Sequence, residues 1–535
     1  LELIVGRPAG SPLVGAYHEA DPAALPFYSG HFSALSAYED KAAEVDGRFD
    51  RGTRERATQA LSVPSGADSG RLRRFVDEGG YMVTTGQQPG LFGGPLYSVY
   101  KGLAAARLAQ VLEDRLEKPV VPVFWVASED HDWAEANHTH LVGLDNELHS
   151  PELPAPNAEI APSLHRVPLG AEIERLRDAF LQNLPDTDFS APYVELLRDA
   201  AVQGVTLPGS FRRILEEVLG PYGVYFTDAA DPVVKSASAA LLAEELERAG
   251  ELEAILASTA SRLEGAGYGL QVSLLEGGVN LFLEGPAGRE RLYREDGGFR
   301  LRSSGERLSR EDILARAGAD PLALSPNVLL RPVAESVVFP TLSYVAGPGE
   351  TAYYAQILEY FEAFGIRMPV VFPRFGVTLV EAKIRKVLDK FGLGAADLDR
   401  PFHEISSEIA RDEVPEELRR SLGALRGSVG KGVGELQSLV RGVDPTLKGP
   451  VNHVRSQTFS ALDDLEKKIV HAVKRESQIA LSQLEKAQLH LYPTGKPQER
   501  IANPFYYLTR YGRAFLDGVF DRFEVNLAPG SRVHG

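Results

Sequence analysis

The sequence predicts an α/β protein built on a parallel sheet with helices on both faces, and three observations predict it. Five short β-prone runs alternate with helical stretches along the chain. One of them, Lys118 to Ser128 (KPVVPVFWVAS), is continuously apolar over strand length, as a strand buried on both faces must be. Loops rich in glycine or carboxylate follow the runs directly, where an open parallel sheet presents its binding crevice.

Residues 1 to 75 read as mixed and mostly helical, Arg51 to Leu61 being the clearest helical run. Tyr81-Met82-Val83-Thr84-Thr85 is the first strand, and it enters the loop Gly86 to Gly94. Pro95 then opens a helix over Leu96 to Leu116, because the N–H that proline lacks would be unpaired in a first turn anyway. Lys118 to Ser128 runs into Glu129-Asp130-His131-Asp132. Gly223 to Thr227 leads through Asp228 and Pro232 into a helix ending near Ala249. Thr341 to Ala346 leads through Gly347-Pro348-Gly349-Glu350 into a helix over Thr351 to Phe364, and Met368 to Pro373 precedes Arg374 and a helical stretch to Phe391. Two insertions interrupt the alternation. Residues 145–220 are proline-rich, then helical; residues 266–310 alternate apolar and polar side chains (Leu270 to Leu274, then Val279 to Leu283) between glycine pairs, which suggests a small antiparallel sheet.

The α/β core with its insertions therefore spans 1–392. Over 393–492 apolar residues recur every three, four or seven positions (Ile405, Ile409, Leu418, Leu425 and Leu436, then Leu462, Leu465, Ile469 and Leu484) on either side of a turn at Asp444 to Pro450. This reads as an antiparallel coiled-coil hairpin, broken near Pro415 and with a charged exception at Glu476. Six glycines between Gly423 and Gly442 weaken its first arm and predict a kink there. The segment 493–535, with Asn503-Pro504-Phe505-Tyr506-Tyr507, is aromatic enough to dock back on the core.

At 535 residues two or three domains are expected. A net charge of −17, from 57 basic and 74 acidic residues, disfavours nucleic acid and anionic membranes as partners, although a local basic pocket for one nucleotide is compatible with it. There is no cysteine, hence no disulfide framework and no thiolate metal site. No apolar run reaches the roughly 18 residues of a membrane span. Leu1 to Gly10 does not read as a signal peptide, and the cytoplasm is the default location.

Three loops at strand ends carry the candidate chemistry. Four glycines in Gly86-Gln87-Gln88-Pro89-Gly90-Leu91-Phe92-Gly93-Gly94 let backbone approach a ligand, and Gln87 and Gln88 add amide donors and acceptors; the alternative is a tight turn packing helix on strand. Neither a Gly-Lys-Ser/Thr triplet nor GxGxxG is present. Tyr97 and Lys101 share a helix face, with the lysine meeting a phosphate or simply solvated. In the second loop Glu129, Asp130, His131 and Asp132, followed by Glu135, Asn137, His138 and His140, crowd charges that shift one another's pKa, which marks functional sites. Asp130 or Asp132 capping a helix is the plainer reading. The spacing fits no zinc motif, HExxH is absent, and no metal is predicted. The third loop is Gly347-Pro348-Gly349-Glu350 with Tyr353 behind it, where Glu350 either caps the helix or contacts substrate. Arg374 is the cation at the end of the last strand. No nucleophilic triad is visible.

TTGQQPGLFGGPLYSVYKG, VVPVFWVASEDHDWAEANH, VAGPGETAYYAQ and MPVVFPR, in that order and ahead of a coiled coil, resemble the bacillithiol synthase family (BshC). The resemblance implies a Rossmann-like core similar to class I aminoacyl-tRNA synthetases and related nucleotidyltransferases, with connecting insertions and a coiled coil associated with homodimers. It implies condensation of cysteine with the amine of glucosaminyl malate and binding of an adenine nucleotide, ATP or ADP. The HIGH and KMSKS sequences of those synthetases are missing; Gln87-Gln88 stands in place of the first, and Lys383-Ile384-Arg385-Lys386 is a loose analogue of the second.

An amide does not form from a free carboxylate, so ATP would activate the cysteine carboxyl as an acyl-adenylate or acyl-phosphate. A base among Asp130, His131 and Asp132 would take the ammonium proton, Gln87 and Gln88 would hold polar groups, and Arg374 or Lys101 would meet the malate carboxylates. Two rival classes stand beside this: metal-assisted hydrolysis at the Glu129–Asp132 cluster, and an interaction protein whose coiled coil recruits partners.

Overall fold

A computed structural model describes residues 1–156 and 160–528. Five parallel strands form the central sheet: β1 (Tyr81–Gln87), β2 (Val120–Val126), β3 (Tyr225–Asp228), β4 (Thr341–Ala346) and β5 (Val370–Pro373). They are the five runs expected from sequence. Their order across the sheet is β5-β4-β1-β2-β3. The chain leaves β1 toward one edge, then returns to β4 on its other side. The carboxyl ends of β1 and β4 thus form a topological switch point, where α/β sheets open a crevice. Every residue of β2 is buried, which accounts for its uninterrupted apolar sequence. Helix α1 (Leu96–Leu116) follows β1 with Pro95 at its N-cap, and its inward residues are small or branched (Val99, Leu103, Ala104, Leu108). Trp125, Phe339, Phe75 and Val234 fill a core on one face of the sheet.

The second insertion is antiparallel as expected, with strands Gly278–Gly285, Gly288–Glu295, Gly298–Leu301, Arg307–Leu308 and Leu324–Pro326. Four expectations need correction. Leu270 to Leu274 is not a strand; the backbone N–H groups of Gln271 and Val272 donate to the Gln356 side chain, whose amide returns a bond to the Val272 carbonyl. The same buried glutamine interrupts the helix expected over Thr351 to Phe364, leaving Pro348–Tyr354 and Leu358–Ala363. After Arg374 the β-rich stretch Gly376–Val380 forms a strand before the helix Ala382–Phe391 begins. The helix after Pro232 also runs past Ala249: α2 spans Pro232–Gly265.

The chain divides into two compact units, Leu3–Thr378 with Glu499–Gly535, and Leu1–Glu2 with Leu379–Gln498. In the first, Phe505, Tyr507, Leu508 and Phe515 are buried, and Asn503 donates to the Phe92 and Gly94 carbonyls. Residues 529–535 of the predicted last segment lie outside those described. In the second, α3 (Glu416–Val440) and α4 (Lys448–Glu476) form a helical hairpin around a turn at Pro445–Leu447. Pro415 and Glu476 mark real helix ends. The glycine-rich arm is one continuous helix without the expected kink, and a Cβ at Gly430 would meet the Phe459 ring of α4 in ordinary contact at 3.9 Å. No helix among the described residues is long and apolar enough to cross a membrane.

Glu245, on α2, is buried and accepts from the Asn280 backbone N–H (3.0 Å) and the Tyr360 hydroxyl (2.6 Å). Burial outweighs these bonds and pushes its carboxyl up to about 7. The folded state then holds this proton more tightly than the unfolded chain, so the contribution is full in acid and lost as pH rises through about 7. Glu245→Gln keeps an acceptor without the charge. Its thermal midpoint should exceed the wild type's at about pH 8 and match it near pH 5; a constant difference at both would refute the assignment.

Candidate functional site

A cavity of about 650 Å³ opens at the carboxyl rim of the sheet, and all five strands end on it. Gly86 and Gln87 come from β1, Trp125 and Ala127 from β2, Ala229 from beyond β3, Gly347 from β4 and Arg374 from β5. The antiparallel sheet closes one side with Phe282, Arg289 and Arg291. The cavity gathers Gln87, Gln88, Tyr97, Lys101, Glu129, Asp130, His131, Gly347, Gly349, Glu350, Tyr353 and Arg374, drawn from all three predicted loops.

Within the first loop, function and turn separate. Gly86 to Gln88 line the cavity, whereas Leu91, Phe92 and Gly93 are buried away from it. Gly93 and Gly94 have φ of +85° and +67°, and a Cβ on Gly93 would stand 2.9 Å from the Ile214 methyl. These two glycines make the tight turn. Gln87 donates to the Tyr97 hydroxyl (2.9 Å), and Gln88 donates to Asp130. Burial pushes the Tyr97 hydroxyl up to about 12, so it stays protonated.

The predicted cations prove to be paired. Lys101 is fully buried, donates to the Gly86 carbonyl and sits 2.7 Å from Glu350. Burial lowers its pKa, opposed by Glu350. Burial pushes Glu350 up, but Lys101 and bonds from Tyr344 and the Gly347 N–H outweigh it, so the carboxyl is held below its ordinary value. Glu350 therefore caps its helix and neutralises Lys101. Arg374 makes a two-pronged bond to buried Glu499, at 2.6 and 3.0 Å. Lys101 and Arg374 thus line the cavity as expected, each already holding an ion-pair partner.

In the second loop Asp130 accepts from Gln88 and from the backbone N–H groups of His131 (2.7 Å) and Asp132 (3.2 Å). Glu129 is buried against Lys235. Asp132, Asn137 and His138 do not line the cavity. Asp132 caps the short helix Trp133–Ala136 by accepting from Glu135 N–H, Asn137 donates to the Leu153 carbonyl and Glu152, and the His138 ring turns back to Ala134. Their predicted site roles are corrected to local structure.

Sequence reasoning missed Arg289, Arg331 and the placement of Glu135. Arg331 sits over Trp125 and Tyr344 and is paired with Glu335 at 2.6 Å. Its sequence signal was a glutamate four residues on, after a helix-opening proline. Arg289 donates to Ser325 Oγ and the Pro326 carbonyl, stacks 4.0 Å from the Phe282 centroid and meets His131 Nδ1 at 3.1 Å. A guanidinium only donates, so Nδ1 accepts and the neutral ring carries its proton on Nε2. Asp130 Oδ1 lies 3.6 Å from the same nitrogen, too far to compete. Burial and Arg289 together lower the His131 pKa. Glu135 also lines the cavity, its carboxyl raised by burial and by Asp132 and Asp130. The described residues contain no group of three or more His, Asp or Glu able to hold a metal, so the hydrolase alternative finds no ligand set among them.

Two family profiles match the chain: "Bacillithiol biosynthesis BshC, N-terminal Rossmann-like domain" over residues 4–375, and "Bacillithiol biosynthesis BshC, C-terminal coiled-coil domain" over residues 377–526. Among curated relatives, one from Salinibacter ruber is 34% identical over 83% of this chain and 81% of its own length. One from Symbiobacterium thermophilum is 31% identical over 98% and 96%, and one from Koribacter versatilis 31% over 91% and 90%. Each carries the name "Putative cysteine ligase BshC".

The Arg374–Glu499 pair sets a testable cost. Arg374→Ala strands a buried carboxylate and should lower stability by about 3–5 kcal/mol in chemical denaturation, while replacing both partners by apolar residues should cost less. A loss under about 1 kcal/mol for the single change would show that the pair is not holding the rim.

Proposed function

The chain belongs to the bacillithiol biosynthesis BshC family, and on that premise we propose that it is an ATP-linked ligase joining the carboxyl of cysteine to the amine of glucosaminyl malate. One observation carries the reading: a single cavity at the sheet's switch point offers carboxylates suited to an ammonium, Asp130 and Glu135, beside guanidinium groups suited to carboxylates and phosphates. Such mixed polarity fits a site that must hold a zwitterionic amino acid, an amino sugar and a polyanion.

ATP supplies the activation that a free carboxylate lacks. The apolar wall of Trp125, Ala127 and Ala229 fits a nucleotide base, and the buried Trp125 Nε1–H has no partner among the described residues. The remaining roles fall to the chain's own side chains. The acceptor amine must lose a proton before its nitrogen attacks the activated carbonyl carbon; the C–N bond then forms as the phosphate-bearing oxygen leaves. Glu135 is the base, because its raised pKa suits proton transfer and Asp130 is already engaged by three donors. His131 presents Nε2–H as a neutral donor to developing negative charge. The hairpin leaves Leu439 (71% exposed) and Val443 (81%) uncovered, which supports a homodimer through the coiled coil, and a biosynthetic ligase for such metabolites belongs in the cytoplasm.

Purified protein given ATP, cysteine and glucosaminyl malate should yield the thiol amide, read by mass spectrometry, with AMP or ADP released alongside. Absence of product with all three present would overturn the reading. Glu135→Gln should lower kcat by about 10²–10⁴. A base must be deprotonated to act, so wild-type kcat should fall on the acid side of a limb lying above the ordinary carboxylate range, and the variant should lose that limb. His131→Gln, which keeps a donor, should retain more activity than His131→Ala; equal loss in both would count against a donor role.

A further inference from the structure

Three cations of the cavity are neutralised by carboxylates: Lys101 by Glu350, Arg331 by Glu335 and Arg374 by Glu499. Arg289 and Arg291, like Arg500, are not. Among the described residues neither forms an ion pair, and both face the cavity. Asp130, Glu129 and Glu284 are the acids nearest Arg289; Glu284 is held by Arg166 (3.6 Å) and Ser163, Glu129 by Lys235 and Asp130 by Gln88. Asp130 acts on Arg289 and Glu245 on Arg291 through space, but neither arginine has an ion-pair partner, and a ligand anion would stabilise a guanidinium partly withdrawn from water.

The two arginines are placed as a pair. They lie two apart on the strand Gly288–Glu295, so their side chains leave the same face roughly 7 Å apart. Of the five N–H groups of a guanidinium, Arg289 spends three on Ser325, Pro326 and His131, while Arg291 spends one on the Val279 carbonyl. Stacking on Phe282 fixes the plane of Arg289, and the Nε2–H of His131 adds a neutral donor beside it.

We propose that Arg289 and Arg291 form a subsite for a ligand segment bearing two anionic groups, a dicarboxylate or an oligophosphate. The inference deepens the proposed function and rests on it for the identity of the ligand: the malate part of the acceptor and the phosphate chain of ATP share this chemistry. The subsite itself requires only the anion.

Calorimetric titration of the full chain with L-malate, and separately with tripolyphosphate, tests it against Arg289→Gln, Arg291→Gln and Arg289→Lys. Wild type should bind at least one probe, and each Gln variant should weaken that probe about tenfold or more. Arg289→Lys should fall between, since a point charge replaces the fork. Weakening confined to malate assigns a dicarboxylate, and weakening confined to tripolyphosphate assigns a phosphate chain. No binding of either probe by wild type, or affinities unchanged in Arg291→Gln and Arg289→Lys, overturns the subsite. Arg291 has one hydrogen bond to lose, so its variant remains informative if Arg289→Gln misfolds; thermal melts identify that case. Arginine-dependent binding in a protein that makes no thiol amide would leave the subsite standing and remove the ligase reading alone.

Discussion

The rim of the sheet depends on one buried charge. Lys101 reaches from the second turn of α1 to the Gly86 carbonyl and to Glu350, and so ties the end of β1 to the loop after β4 across the switch point. An ammonium in so dry a place persists only with its counter-charge, and Glu350 is in turn fixed by Tyr344 and the Gly347 N–H. Loosening any member leaves a charge or a backbone donor unmatched, so the two loops hold one spacing.

Charges in the cavity are therefore divided between scaffold and ligand. Lys101 and Arg374, which look from sequence like substrate contacts, are paired with Glu350 and Glu499, and Arg331, which sequence reasoning missed, with Glu335. Two of the cations left over, Arg289 and Arg291, come from an inserted antiparallel sheet, and Arg500 comes from the C-terminal segment. The core fixes the geometry, and the insertion supplies the electrostatics. This reconciles a cation-rich cavity with a chain of net charge −17, since the excess acid lies elsewhere and only the local field acts on a bound anion.

This division explains what was legible in the sequence. The five strands were, because continuous apolar runs between turn signals have few other uses, and the convergence of Gln87, Asp130 and Glu350 followed from their position after parallel strands. Leu270 to Leu274 misled because alternation is the same whether a segment pairs with a strand or, as here, with the side chain of Gln356. The pairing of Arg374 was not legible, because Glu499 is 125 residues away and no local pattern announces an ion pair of that separation. Asp132 and Asn137 carry the right chemistry in the right loop; only the direction of the short helix Trp133–Ala136 turns them away from the cavity.

The Arg289–His131 contact couples binding to acidity. As long as the guanidinium lacks a counter-ion, its charge opposes a second one on the imidazole and Nδ1 is kept as an acceptor. An anion on Arg289 would offset that charge, and by linkage the same interaction would make a protonated His131 favour the anion. Protonation of the ring would cost the Arg289 hydrogen bond, because only an unprotonated Nδ1 can accept it. The proposed anion subsite and the proposed donor thus meet in one contact of 3.1 Å, between a residue the core loop supplies and one the insertion brings to it.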